Sequence, residues 1–193
     1  IGGGVQNANA ISELHELGDI LKIPMYPTWN ALDVVTSDYP YYCGRIGTYG
    51  GAGRNFGIQN SDLLISIGSR ISGRITGGNV KTFAREAKKY MVDVDPGVLT
   101  KKYQQVPFDE NINCDAKKFI NIFKEYVLKR KYVSNSKKVN WLNKCIEWKK
   151  KYDPVKKEYY KNSNTVQPYA FIRELSKKMK NNDVFVADCG GNI

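Results

Sequence analysis

Histidine is almost missing from this chain: His15 is the only one. A His-centred triad or a multi-His metal site is therefore excluded within it. Cysteine is sparse and scattered, with Cys43, Cys114, Cys145 and Cys189 far apart and no C-x-x-C pair. That pattern suits neither a zinc site nor a disulfide framework, and it fits a reducing, cytoplasmic location. No apolar run approaches the ~18–20 residues needed to cross a bilayer, and no basic-then-apolar leader opens the chain. No membrane partner is expected. Hydrophobic residues at 41% and charged residues at 25% speak against disorder and collagen-like repeats. The 193 residues make one domain of ordinary size or slightly more.

Acidic charge is what the second half lacks. Residues 1–100 hold nine basic and nine acidic side chains, whereas residues 101–193 hold 21 and 10, the whole of the +11 excess. Nearly all of that excess is lysine interleaved with apolar residues over 117–161. Such a pattern reads as the solvated face of helices, so no nucleic-acid partner is expected. The arginines are placed differently. Arg45, Arg54, Arg70, Arg74 and Arg85 sit among the glycines of the neutral half, where planar guanidinium forks suit phosphate or carboxylate.

The first hundred residues alternate strand-like and helix-like stretches. Ile11, Leu14, Leu17, Ile20 and Leu21 mark an amphipathic helix after Gly2-Gly3-Gly4, and Ile23–Pro27 reads as extended. Leu63-Leu64-Ile65-Ser66-Ile67 is a strand of the kind buried on both faces, and residues 90–95 form another. A short helix is expected over 80–84. Such alternation implies βαβ units and a parallel sheet, with ligands at the carboxyl ends of the strands. Beyond residue 116 the spacing predicts helices ending near Lys131 and Tyr152, then a turn-rich linker at 162–165 and a helix opened by Pro168. Asp183–Asp188 reads as one more buried-type strand, running into Cys189-Gly190-Gly191-Asn192.

Four features mark the strand ends. Gly2-Gly3-Gly4 before a helix allows close backbone approach to an anion. Arg45-Ile46-Gly47-Thr48-Tyr49-Gly50 brings backbone and a cation together, and Gly68-Ser69-Arg70-Ile71-Ser72-Gly73-Arg74 does so directly after a strand. Asp93 and Asp95 suit ribose hydroxyls, although Asp95-Pro96 equally suits a helix-capping turn. Together they point to a dinucleotide or another phosphate-bearing ligand.

The order GGGV, RIGTYG, SDLLISIGSR, GRITGG, FAREAKKYMVDVDP and NCDAKKF resembles the central domain of thiamine-diphosphate-dependent enzymes of the acetolactate synthase type. The resemblance spans about residues 1–130 and resumes at 168–193. It implies an α/β fold, a doubly wound, Rossmann-like parallel sheet of the six-stranded type with helices on both faces. It divides the chain into a central, FAD-binding-type domain (1–131), a basic helical linker (132–167) and the beginning of a C-terminal thiamine-diphosphate-binding domain (168–193). Cofactor contacts are implied at Gly2, Gly3, Gly4, Gly47, Thr48, Tyr49, Gly50, Gly68, Arg70, Arg74, Asp93, Asp95 and Asp115. The family's Arg-Phe-Asp-Asp-Arg is here Arg70-Ile71-Ser72-Gly73-Arg74, with both arginines kept and both carboxylates gone. Gly190, Gly191 and Asn192 match positions near the thiamine diphosphate.

The implied parent decarboxylates a 2-oxo acid such as pyruvate and transfers the two-carbon unit, in one branch of the family for cell-surface sugar biosynthesis. Thiamine diphosphate and Mg2+ would be held with the remaining domains, in a homodimer or homotetramer, and this piece alone is expected to be inactive. The alternative is a non-catalytic nucleotide-binding or regulatory module. The parent is expected to extend past both ends, and segment 184–187 to be paired in a sheet.

Overall fold

The computed structural model describes residues 1–48, 50–161, 164–180 and 182–186. It divides into two compact units, residues 1–152 and 153–193. The first unit runs α1 (Gly4–Asn7), α2 (Ile11–Leu21), α3 (Ala52–Gln59), β1 (Leu63–Ile67), α4 (Gly73–Thr76), β2 (Lys88–Asp93), β3 (Glu110–Asn113), α5 (Ala116–Lys129) and α6 (Ser136–Lys151). The second contains α7 (Pro168–Lys178).

The three strands form one parallel sheet in the order β1-β2-β3. Ile65 lies opposite Tyr90, Ile67 opposite Val92, and Val92 opposite Ile112. The alternation of a pleated strand sends Ile65, Ile67, Val92 and Ile112 to one face. There they join Leu14, Leu17 and Leu21 of α2 and Ile120 and Val127 of α5 in a first core. Leu64 belongs to a second core on the other face, with Ile58 of α3 and Leu142 and Cys145 of α6. Helices therefore cover both faces of the sheet. Beside it, Met25 makes a single parallel bridge with Tyr42. Three strands are seen where the family resemblance implies six.

Local signals place most of the ends. Asp115 accepts from the Lys118 amide at 3.0 Å and caps α5, and Asn135 accepts from the Lys138 amide at 3.1 Å and caps α6. Lys22 closes α2 in the left-handed region, its amide donating to the Gly18 carbonyl at 2.7 Å. Residues 136–151, which the sequence reads as linker, pack on α3 within the first unit.

The structure differs from the sequence reading in several elements. Only the single turn α1 follows the glycines, and the long helix begins seven residues later, at Ile11. The helix expected over 80–84 is one 3-10 turn, Val80–Thr82. The second strand starts earlier, at Lys88, and ends at Asp93, because Asp95 already caps the turn that follows. Helix α3 and strand β3 were not expected: α3 contains Gly53 and Gly57, and β3 is polar except for Ile112. In the second unit, Val184, Phe185 and Val186 are 86%, 52% and 87% exposed and lie in no ladder. The pairing expected of 184–187 is absent there for the described residues. Ala187 and the turn with Gly190, Gly191 and Asn192 lie outside them.

Candidate functional site

Three turns meet at the carboxyl end of β1. They are the glycine turn 2–4, residues 28–30 after the extended segment, and the loop 68–75. Between them lies a cavity of about 700 Å3, lined by Gly3, Gly4, Trp29, Asn30, Gly68, Arg70 and Arg74 among others. Its floor is backbone. The Gly2 amide donates to the Ile67 carbonyl at 2.9 Å, and the Gly4 amide to the Gly68 carbonyl at 3.1 Å. Gly68 has φ +61° and passes its own amide to the Val92 carbonyl at 2.9 Å. The Gly3 amide, between these two, has no partner among the described residues. It is left for a ligand or water, as an amide so placed must be satisfied.

The charge of the cavity is one-sided. Arg70 and Arg74 are exposed and have no ion-pair partner among the described residues, and no Asp or Glu lines the space. Arg45 lies 4.1 Å over the Trp29 ring, a cation–π stack that holds this aromatic wall upright. Desolvation, with the nearby Arg54 charge adding to it, keeps the Arg45 pKa below its ordinary value. Two guanidinium groups, free backbone N–H and an aromatic ring suit a ligand that is anionic and carries a flat ring.

Gly47 and Thr48 stand next to this site without lining it. The Thr48 amide and hydroxyl both donate to the Arg74 carbonyl, at 2.8 and 3.1 Å. Asn55 clasps Gly47, accepting from its amide and donating to its carbonyl, each at 3.1 Å. Gly47 sits at φ +122°, and the Gly50 amide donates back to its carbonyl at 2.9 Å. Tyr49 lies outside the described residues. The aspartates are placed differently. Asp93 accepts from the Asp95 amide at 3.0 Å, and Asp95 from the Gly97 amide at 2.8 Å, capping the turn Pro96–Leu99. Asp115 caps α5, and none of the three lines the cavity.

Trp29 and Asn30, which line the cavity, carry no motif in the sequence. They follow Pro27 at the end of an extended segment, the same position that singled out Asp93. Ile71, between the two arginine-bearing turns, is 5% exposed and adopts φ +47°. A β-branched residue there is strained, and strain of this kind gathers at binding loops.

Other marked residues have structural partners. His15 Nε2 lies 2.8 Å from the Val34 carbonyl and its ring stacks on Tyr39. Lys117 and Lys124 pair with Glu13 and Glu16 on α2. Cys43, Cys114 and Cys145 are free thiols. Among the described residues, no group of His, Cys, Asp and Glu could hold a metal ion. No helix among them is long and apolar enough to cross a membrane.

Comparison with known proteins agrees with this frame. The family described as thiamine pyrophosphate enzyme, central domain, matches residues 1–122. The probable acetolactate synthase large subunit of Methanococcus aeolicus is 31% identical over 202 residues, covering 99% of this chain and 33% of that protein. Its counterpart in Methanocaldococcus jannaschii is 30% identical, over 99% of this chain and 32% of that protein. The acetolactate synthase isozyme 2 large subunit of Escherichia coli is 40% identical over 104 residues, 54% of this chain and 19% of that protein. The chain thus spans about a third or less of the length of these curated relatives. It belongs to the central-domain family of thiamine pyrophosphate enzymes and is acetolactate-synthase-like.

Proposed function

We propose that this chain is the central domain, with the beginning of the catalytic domain, of an enzyme that decarboxylates a 2-oxo acid such as pyruvate and transfers the two-carbon unit. Its own task is to hold a phosphate-bearing dinucleotide of the FAD class. The observation that carries this is the cavity in which Arg70 and Arg74 face glycine backbone with no carboxylate among its lining residues. A diphosphate would lie against the free Gly3 amide and the two guanidinium groups, and the flat ring against Trp29. Gly2 and Gly68 form the floor, while Gly47, Thr48 and Gly50, in the neighbouring loop, would support one side, and Tyr49 remains a contact implied by the family resemblance alone. Asp93 and Asp95, each using one carboxylate oxygen in a local turn, keep acceptors for ribose hydroxyls at the neighbouring strand end. Asp115 acts as a helix cap.

Thiamine diphosphate, when bound with Mg2+, supplies the electron sink that stabilises the carbanion left by decarboxylation. Gly190, Gly191 and Asn192 would approach its phosphates, with the other domains completing the site in a cytoplasmic homodimer or homotetramer. The acceptor of the two-carbon unit belongs to those domains, and an acceptor used in cell-surface sugar biosynthesis is one member of the class.

Ser72 and Gly73, in place of the family's two carboxylates, favour a second reading in which the same cavity takes an adenine nucleotide without serving catalysis. Titration of the gene product with FAD, NAD and ADP, followed by tryptophan fluorescence with a Trp29→Phe variant as control, separates the two. FAD binding tightest, with carbon dioxide released from pyruvate when thiamine diphosphate and Mg2+ are added, is the expected result. ADP or NAD binding tightest, with no turnover of any 2-oxo acid, would establish the module instead.

A further inference from the structure

The turn that carries Arg74 does not hold itself in place. Helix α4 is four residues long, too short to be stable on its own hydrogen bonds. Ser72, before it, makes no side-chain cap, and Ile71 ahead of that is the strained residue of the loop. Gly77, after it, is at φ +73°, and beyond their chain neighbours neither Gly77 nor Gly78 has an atom within 4 Å of where a side chain would begin. The Ile75, Thr76 and Gly77 amides are bonded inside the turn, to the Ser72 and Gly73 carbonyls. The Arg74 carbonyl is left over. A longer helix would satisfy it from its next turn, but among the described residues no backbone amide of α4 or of the residues after it does so.

Thr48 supplies what α4 lacks. Its amide at 2.8 Å and its hydroxyl at 3.1 Å both donate to the Arg74 carbonyl. Gly47 lies against the same oxygen: a Cβ there would stand 2.7 Å from it, and φ +122° favours glycine on backbone grounds as well. A residue that lends its guanidinium to the cavity is thus held at its backbone by a neighbouring loop rather than by its own.

That loop in turn hangs from Asn55 of α3. The Gly47 amide donates to Asn55 Oδ1, and Asn55 Nδ2 donates to the Gly47 carbonyl, each at 3.1 Å. Closing both bonds takes an acceptor and a donor on one short side chain. Asparagine has the two; aspartate lacks the donor, and the extra methylene of glutamine displaces the pair. Asn55 is a fixed post because α3 has no slack. Gly53 is pressed against the Trp148 carbonyl, and Gly57 against the Tyr26 hydroxyl and Cys145 Sγ, too close for any side chain.

We propose that Asn55 and Thr48 are positioning residues for the nucleotide cavity, a relay in which Asn55 sets the Gly47 peptide and Thr48 sets Arg74 against the phosphate of the ligand. The inference rests on the ligand reading above. It gives the loop a task although neither Gly47 nor Thr48 lines the cavity, because both act through Arg74. Arg70 stands outside the relay. It follows Ser69, whose carbonyl accepts from the buried Ser66 hydroxyl of β1 at 3.0 Å. The two arginines are therefore set from different elements, Arg70 from the sheet and Arg74 from α3.

In the gene product that carries this chain, Asn55→Ala is expected to weaken FAD binding roughly fivefold, the size of coupling found within one hydrogen-bond network. In an Arg74→Ala background the same substitution should cost nothing further, and in an Arg70→Ala background it should cost its full amount. Thr48→Val, which loses only the hydroxyl, should weaken FAD about threefold. Thr48→Ser, which keeps the hydroxyl, should bind as the unaltered protein does. Where Asn55→Ala does not fold, Thr48→Val carries the same pair of backgrounds. Exchange of the Thr48 amide gives a reading without ligand and should be about tenfold faster in Asn55→Ala. Absence of FAD, NAD and ADP binding in the unaltered protein overturns the ligand reading. Unchanged Thr48 exchange in Asn55→Ala, or equal losses in the two arginine backgrounds, overturns the relay.

Discussion

Gly4 and Gly68 meet backbone to backbone: the Gly4 amide donates to the Gly68 carbonyl at 3.1 Å, and a Cβ on Gly4 would stand 2.7 Å from the Gly68 Cα. Neither strand end can retreat, since Gly68 is also bonded to Val92 in β2. Gly4→Ala is therefore expected to cost roughly 1–3 kcal/mol, as overpacking does, and to weaken nucleotide binding as well. Urea unfolding of the variant reads the first effect and a binding titration the second. A fully stable Gly4→Ala protein would mean that the two turns are not held against each other.

Among the described residues, neither of the two cavity arginines has a carboxylate partner. Replacing Arg70 or Arg74 with Ala should weaken a diphosphate ligand about tenfold or more each, the worth of a charge-assisted hydrogen bond. Thermal stability should hardly change, because surface substitutions away from packed features lie within about 0.5 kcal/mol. Isothermal titration with FAD and ADP, beside a melting curve, separates the two effects.

Asp115 offers the opposite pattern. Asp115→Ala removes the acceptor of the Lys118 amide and should destabilise by about 1 kcal/mol while leaving nucleotide affinity unchanged. Asp115→Asn, which still caps, should recover most of that loss. A drop in affinity at constant stability would instead place Asp115 in the binding site.

Tyr26 carries a buried hydroxyl that has no hydrogen-bond partner of normal geometry among the described residues, close to the thiols of Cys43 and Cys145, and burial pushes its pKa far up. Thiols are weak partners, so the hydroxyl is desolvated with little return. Tyr26→Phe is expected to be neutral or to stabilise by about 1 kcal/mol, read as a shift in the denaturant midpoint. A loss of stability would show that the two buried thiols bind the hydroxyl well.

Glu13 and Lys117 tie α2 to α5 at 2.8 Å, and that hydrogen bond first, with the chain's own amides, holds the Glu13 carboxyl down to about 2. A carboxylate depressed in the folded state stabilises above its unfolded value and loses that effect as pH falls. The window here runs from about 4.5 down to about 2. Glu13→Gln should flatten the acid limb of the stability curve in that window, and Lys117→Ala should raise the Glu13 midpoint in an NMR titration.

Much of the frame is legible from the residues alone. Leu63–Ile67 is legible as a strand because its apolar run has no alternation to misread, although only Ser66 and Ile67 are buried and Leu63 is 49% exposed, and α2 follows from Leu14, Leu17 and Leu21. Helix α3 is different. Its glycines argue against a helix, but Gly57 is where Tyr26 and Cys145 come too close for any side chain, and Gly53 does the same beneath the Trp148 carbonyl. Packing with α6 overrides propensity there, and no local signal reports it. Strand β3 escaped for the converse reason: an edge strand with one apolar residue looks like a loop. At the site, the glycine turns and arginines were visible as motifs. Trp29 was not, because it joins them only through a neighbouring strand end.

The partnership of α2 with α5 also has a bearing on when this fold is able to form. Lys117 donates to the Asn9 carbonyl and Lys124 to Glu16, contacts that each span 108 positions of chain. Loop closure over such distances is slow, and parallel strands compound the delay. During synthesis, the part of the core that Ile120 and Val127 add to Leu14 and Leu17 arrives only once α5 has left the ribosome tunnel. The face of α2 that α5 closes is therefore incompletely covered over that interval, and a holding chaperone has its opportunity before α5 emerges.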